Sequence, residues 1–117
     1  MLSREMEQVF SSVHVLLAPT TPTLPFSISE PPSPEEMPIH DVLTIAANLS
    51  GCPSVSVACD VINAKRNDVH EKLPVGMQII GGVLQDDKAL KIAAVLEELR
   101  RCRVEDGMPA SLRNRTG

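Results

Sequence analysis

Apolar and polar positions along the 117-residue chain fall into blocks that predict helices and strands in turn. Leu2, Met6, Val9 and Phe10 stand at near-helical spacing among charges, the pattern of the closing turns of a helix. The run Val13–Ala18 is apolar, rich in β-formers and closed by Pro19, and it predicts a buried strand. Val42, Ile45, Ala46 and Leu49 then recur at i, i+3, i+4 and i+7, with Asp41 placed to cap the helix that they imply. Gly51 suits the left-handed residue that ends such a helix, and Pro53 prevents its resumption. Residues 54–59 alternate with the period of a strand, and residues 75–80 form a second apolar strand ended by Gly81 and Gly82. The polar stretch 60–72 between them reads as a surface excursion. A last amphipathic helix begins at Asp86 and Asp87, carries a stripe of Ile92, Val95, Leu96 and Leu99, and closes on Arg100 and Arg101.

Between the first strand and the second helix lies a different kind of segment. Seven of the ten prolines fall between Pro19 and Pro38. A proline has no amide hydrogen and restricts the residue before it, so this density predicts a long extended loop. Loops of that length in small domains usually wrap over something or serve a site. The alternation of strands and helices predicts an α/β sheet covered by helices, in which the three strands share one sheet. Three short strands leave both flanks of a sheet open, so the pattern reads as part of something larger.

Composition narrows the function. Eleven basic against fifteen acidic residues give a net charge of −4, and the aromatic residues are Phe10 and Phe26. An acidic chain without stacking rings argues against nucleic-acid binding. No apolar run approaches the roughly 20 residues of a membrane span, and Met1–Ser12 lacks the pattern of a signal peptide. Three cysteines at unrelated spacings suit a reduced, intracellular chain in which two of them act as small buried hydrophobes. Metal-ligand spacing is absent, and Gly81-Gly82 lacks the context of a phosphate loop. Ser11 and Ser12 beside His14 have no glycine elbow around them and read as helix-end serines. Asp41 is the candidate that remains. It serves either as a helix cap or as a carboxylate that meets a cationic ligand group after a long wrapping loop.

Three blocks in order carry a family resemblance: HVLLAPTTP (His14–Pro22), HDVLTIAANLSGCPSVSVACD (His40–Asp60) and LPVGMQIIG (Leu73–Gly81). Together with the closing amphipathic helix they resemble the carboxy-terminal end of amidase-signature enzymes. They look most like the branch formed by the A subunits of tRNA-dependent amidotransferases. Departures from the branch pattern are His14 for Asp, Ser50 for Ala, Ala58 for Pro and Asp60 for Gly, all at element ends or turns.

The resemblance implies that residues 1–101 are the C-terminal part of an amidase-signature domain, a mixed β-sheet covered by helices, with 102–117 a polar tail. It implies hydrolysis of glutamine through an acyl-enzyme, with the ammonia passed on to amidate a tRNA-bound glutamate. The family's Ser–Ser–Lys machinery lies upstream of the matched blocks, so the chain carries part of a substrate pocket and no catalytic residue. Asp41 matches the family's Asp that holds the glutamine α-amino group, and Asn48, Gly51, Pro53, Gly76 and Gln78 match structural positions. The partners implied are the rest of the domain and amidotransferase subunits B and C. No cofactor is implied for this chain, since ATP and Mg would be used by a partner subunit. A mitochondrial matrix location follows for a eukaryotic source, a cytoplasmic one otherwise. Two other readings stay open: a non-catalytic interaction module on the same scaffold, and part of an amidase for small or fatty amides.

Overall fold

A computed structural model describes residues 2–66 and 69–101. The elements run in the order α1 (Leu2–Phe10), β1 (Val15–Pro19), α2 (Met37–Ser50), β2 (Ser54–Arg66), β3 (Val69–Gly81) and α3 (Asp86–Arg101). The three strands form one sheet in the order β1-β3-β2, so the last strand in sequence lies in the middle. Both pairings are antiparallel, with Leu17 opposite Ile79 and Ile79 opposite Val55. The α/β architecture is therefore as expected, while the parallel pairing of a mixed sheet is absent among the described residues.

Alternation along the strands builds two cores. On one face Val57 and Ile79 pack with Ala89 and Ala93 of α3, with Val15, Val55 and Leu96 at the margin. On the other Ile80 packs with Ala47 of α2 and with Cys52, and Met6, Phe10 and Leu16 join them. The sheet is thus covered by α3 on one side and by α1 and α2 on the other. Each side chain deep in these cores removes apolar area from water worth about 25 cal/mol per Å².

Two helices present a different side from the one their patterns predict. On α3 the residues against the sheet are Ala89 and Ala93, while Ile92, Val95 and Leu99 of the expected stripe are exposed. On α2 Ala47 and Ser50 are buried and Val42, Ile45 and Leu49 are exposed. Small side chains let a helix axis approach a sheet closely, and the larger apolar residues are turned away.

Within the polar stretch, residues 60–66 and 69–72 stand on strands. Strand β2 runs on to Arg66 and β3 begins at Val69, pairing from Arg66↔Val69 down to Asp60↔Val75. Lys65 and Lys72 consequently stand on strands. Backbone ladders close their hydrogen bonds whatever the side chains are, so polar residues on both faces do not prevent a hairpin arm. A β-bulge with Cys59 as its extra residue, between Ala58↔Gly76 and Asp60↔Val75, separates the arm from the packed sheet. Cys59 is exposed there and Cys52 is buried, so one of the two fits the expected role of a small buried hydrophobe. Cys102 and the polar tail 102–117 lie outside the described residues.

Helix α2 starts at Met37, with a proline in its first turn and Glu36 in the N-cap position. Asp41 lies inside the helix, so the cap role expected for it is wrong. The start is prepared instead at residues 33–36, where the Ser33 N–H donates to the Glu36 carboxylate at 2.9 Å. That bond holds the Glu36 carboxyl below its ordinary value. Proline is well suited to a first helical turn because the amide that it lacks has no partner there. At the other end Gly51 takes φ 72° and its amide bonds the Ala47 carbonyl, as a left-handed C-terminal glycine should.

With β1 and β2 at the two edges and apolar side chains outward on α2 and α3, the 117-residue chain by itself is expected to self-associate. Sedimentation velocity across a concentration series checks this. A monomer at all concentrations with a sharp melting transition would show that the edges are harmless.

Candidate functional site

A cleft of about 760 Å³ opens where β1, β3, the Pro-rich loop and α2 meet. Its walls are Leu17, Ala18 and Pro19 at the end of β1, residues 21–26 of the loop, Met37, His40 and Asp41 of α2, Cys59 at the bulge, and residues 74–77 of β3. The Pro-rich stretch does what its length suggested. It leaves β1 and forms one side of the cleft before the chain turns into α2.

Gln78 holds the surrounding elements together. Its side chain is 1% exposed, and Nε2 donates to the carbonyl of Pro19 at 3.1 Å and to that of Leu43 at 2.8 Å. Its Oε1 accepts from the Ser54 hydroxyl at 3.2 Å. One side chain on β3 thus ties the end of β1, the middle of α2 and the start of β2. Buried polar groups persist only when paired, and this one is paired on both ends. Gly76 lets the next contact form, because a Cβ there would sit 2.9 Å from Thr20 Oγ1 and 3.1 Å from Ser56 Oγ. Those two hydroxyls hydrogen-bond to each other at 2.6 Å, and the Thr20 N–H donates to the Gly76 carbonyl. The loop therefore departs from β1 at a fixed angle.

Asp41 lines this cleft and is exposed. Its backbone carbonyl accepts from Thr44 Oγ1 at 2.9 Å, while its carboxylate makes no hydrogen bond or ion pair among the described residues. A negative charge against largely apolar walls is a ready acceptor for a cationic ligand group. His40, the preceding residue, is half-buried and hydrogen-bonded through Nδ1 to Thr23 Oγ1 at 2.7 Å. Its ring meets Phe26 edge to face at 5.8 Å. Sequence reasoning missed this link, since a contact across seventeen residues through an irregular loop leaves no periodic signal.

The remaining candidates keep structural places. Ser11 and Ser12 donate to the carbonyls of Gln8 and Val9 at the end of α1. Lys91 pairs with Asp87 at 3.1 Å, which holds the Asp87 carboxyl below its usual range, and Lys88 donates to Gln85. The Pro53 carbonyl accepts from the Gly81 amide, and Asn48 lies exposed on α2. Among the described residues no cluster of His, Cys, Asp and Glu could hold a metal, and no helix is long and apolar enough to cross a membrane.

The chain is similar to known proteins in sequence and in fold. A family model described as Amidase matches residues 1–90. The A subunit of glutamyl-tRNA(Gln) amidotransferase from Natranaerobius thermophilus is 39% identical over 100 residues, 85% of this chain and 19% of that protein. Its counterpart in Syntrophus aciditrophicus is 36% identical over 110 residues, 93% of this chain and 21% of that protein. The crystal structure of the Thermotoga maritima A subunit superposes with a TM-score of 0.65 at 36% identity, over 82% of this chain and 20% of that one. The chain thus spans about a fifth of the length of these relatives.

Proposed function

This chain belongs to the amidase family, and from that membership we propose that it forms one wall of the glutamine site of an amidotransferase A subunit. The observation that carries the reading is the Asp41 carboxylate, which stands in the cleft without a partner among the described residues and where no cap role explains it. A carboxylate there accepts hydrogen bonds from the α-ammonium of glutamine, and with a charge on each partner those bonds are stronger than neutral ones. Amide hydrolysis also needs an activated nucleophile, which on this reading the Ser–Ser–Lys residues of the rest of the domain supply. The ammonia released would pass to subunits B and C, where ATP and Mg serve the amidation of Glu-tRNA(Gln). Such a protein works in the cytoplasm of a bacterium or the matrix of a mitochondrion.

The largely apolar lining of the cleft favours a second reading, an amidase for fatty or other uncharged amides. That reading leaves Asp41 opposite nothing, and burying an uncompensated carboxylate against an apolar ligand is costly. A non-catalytic module on this scaffold leaves the same charge without a use.

The test grafts residues 2–101 in place of the matching fifth of the Thermotoga maritima protein. The graft is expected to release ammonia from glutamine, and the 117-residue chain alone is expected to release none. A folded graft without turnover would overturn the reading. So would turnover by the chain alone that disappears on substituting one of its residues.

A further inference from the structure

The middle of the Pro-rich loop meets α2 at His40. Thr23 Oγ1 hydrogen-bonds His40 Nδ1 at 2.7 Å, and the Phe26 ring packs edge to face on the same imidazole with centroids 5.8 Å apart. Within the segment, Thr21 Oγ1 donates to the Thr23 carbonyl, the Ser27 and Ser29 hydroxyls bond each other, and the Glu30 amide donates to the Ser27 carbonyl. The loop is firmly set at its two ends, by Thr20 against Ser56 and Gly76, and by the Ser33–Glu36 turn. Thr23, Phe26, His40 and Asp41 all line the one cleft.

We propose that His40 is a positioning residue that latches the Pro-rich loop to α2 and so sets the wall of the cleft that Asp41 faces. The kinetic part of this proposal rests on the glutamine reading; the latch itself does not. An irregular loop keeps its place only where specific contacts offset the entropy of ordering it. Here a hydrogen bond and a ring contact meet on a residue one position before the carboxylate, carried by a helix. A helix gives His40 a backbone rigid enough to fix the loop, and the loop in turn gives the cleft a wall that exists before ligand arrives. Preformed walls improve ligand binding without touching the reacting atoms.

The latch is tested first on the 117-residue chain, by native-state cleavage with thermolysin before Phe26 and Ile28. His40→Ala and Thr23→Val are expected to speed cleavage at these sites roughly three- to tenfold, the range for one net hydrogen bond. The double variant should be no faster than His40→Ala alone, because that substitution already removes the bond together with the ring contact. His40→Asn places an amide where Nδ1 stands and should restore much of the protection. Thr23→Val is nearly isosteric, so it decides the matter if the histidine variants fold poorly. Cleavage at the parental rate in Thr23→Val would overturn the latch.

The same substitutions in the Thermotoga graft should raise the KM for glutamine severalfold and leave kcat nearly unchanged, the signature of lost binding. An unchanged KM beside faster loop cleavage would overturn the positioning role. A parent graft that folds and does not use glutamine would overturn the glutamine reading instead, while the cleavage rates still decide the latch.

Discussion

Asp41→Asn in the Thermotoga graft is expected to lower kcat/KM for glutamine about ten- to hundred-fold while the melting temperature stays nearly constant. The expected loss is that of one charge-assisted hydrogen bond, about 1.5–3 kcal/mol. Asparagine matches aspartate in shape and still accepts a hydrogen bond, yet it offers no negative charge to an ammonium group. Stability should not change because Asp41 is no cap: α2 begins at Met37, and the Asp41 carboxylate holds no backbone amide. An amide substrate lacking an α-amino group should be used equally well by the parent and the variant. Steady-state ammonia release on both substrates, with thermal melting of both proteins, checks the prediction. Equal use of glutamine by the two proteins would remove Asp41 from the site.

Gln78→Leu is expected to destabilise the fold by about 1.5–4.5 kcal/mol, the sum of three net hydrogen bonds at about 0.5–1.5 kcal/mol each. In a domain of this size each kcal/mol lowers Tm by roughly 4–8 °C. Leucine fills a similar volume and removes the polar atoms, so the loss reads the ties to Pro19, Leu43 and Ser54 and not a cavity. Gln78→Glu should be worse near neutral pH. It replaces an amide donor with an anion facing two carbonyl oxygens at a site that is 1% exposed. Burial favours the neutral carboxyl, so the folded variant binds more protons than the unfolded chain and its penalty grows as pH rises. The glutamate variant should therefore recover toward the leucine variant as pH falls toward the ordinary carboxylate range. Melting temperatures of the three proteins between pH 4 and pH 8 provide the measurement, on the order of the window that linkage sets. Glutamate tolerated as well as glutamine at neutral pH would mean that the side chain does not tie the three elements.

Both predictions turn on residues whose type and neighbourhood were legible in the chain to different degrees. The kind and order of the elements followed from local pattern alone: the apolar runs that became β1 and the packed part of β3, the alternation of residues 54–59, the left-handed Gly51, and the acidic start of α3. These depend on backbone sterics and on side-chain period, which act over a few residues. Asp41 could be singled out by its place after the loop, and the resemblance supplied its expected ligand.

Tertiary structure decided the rest. Periodicity shows that a helix has an apolar side but not which side is covered, so Ala89, Ala93 and Ala47 meet the sheet while Ile92, Val95 and Leu49 face outward. A hairpin arm held by its backbone ladder needs no alternation, so residues 60–72 gave no strand signal. Ser33-x-x-Glu36 ahead of Pro38 was the overlooked start signal for α2, half of a reciprocal cap built on the Ser33 amide. The three bonds of Gln78 and the meeting of Thr23 and Phe26 on His40 join residues far apart in the chain. Such contacts form only once the sheet has brought the end of β1, the loop and α2 together, because their geometry belongs to the packing and not to any local stretch.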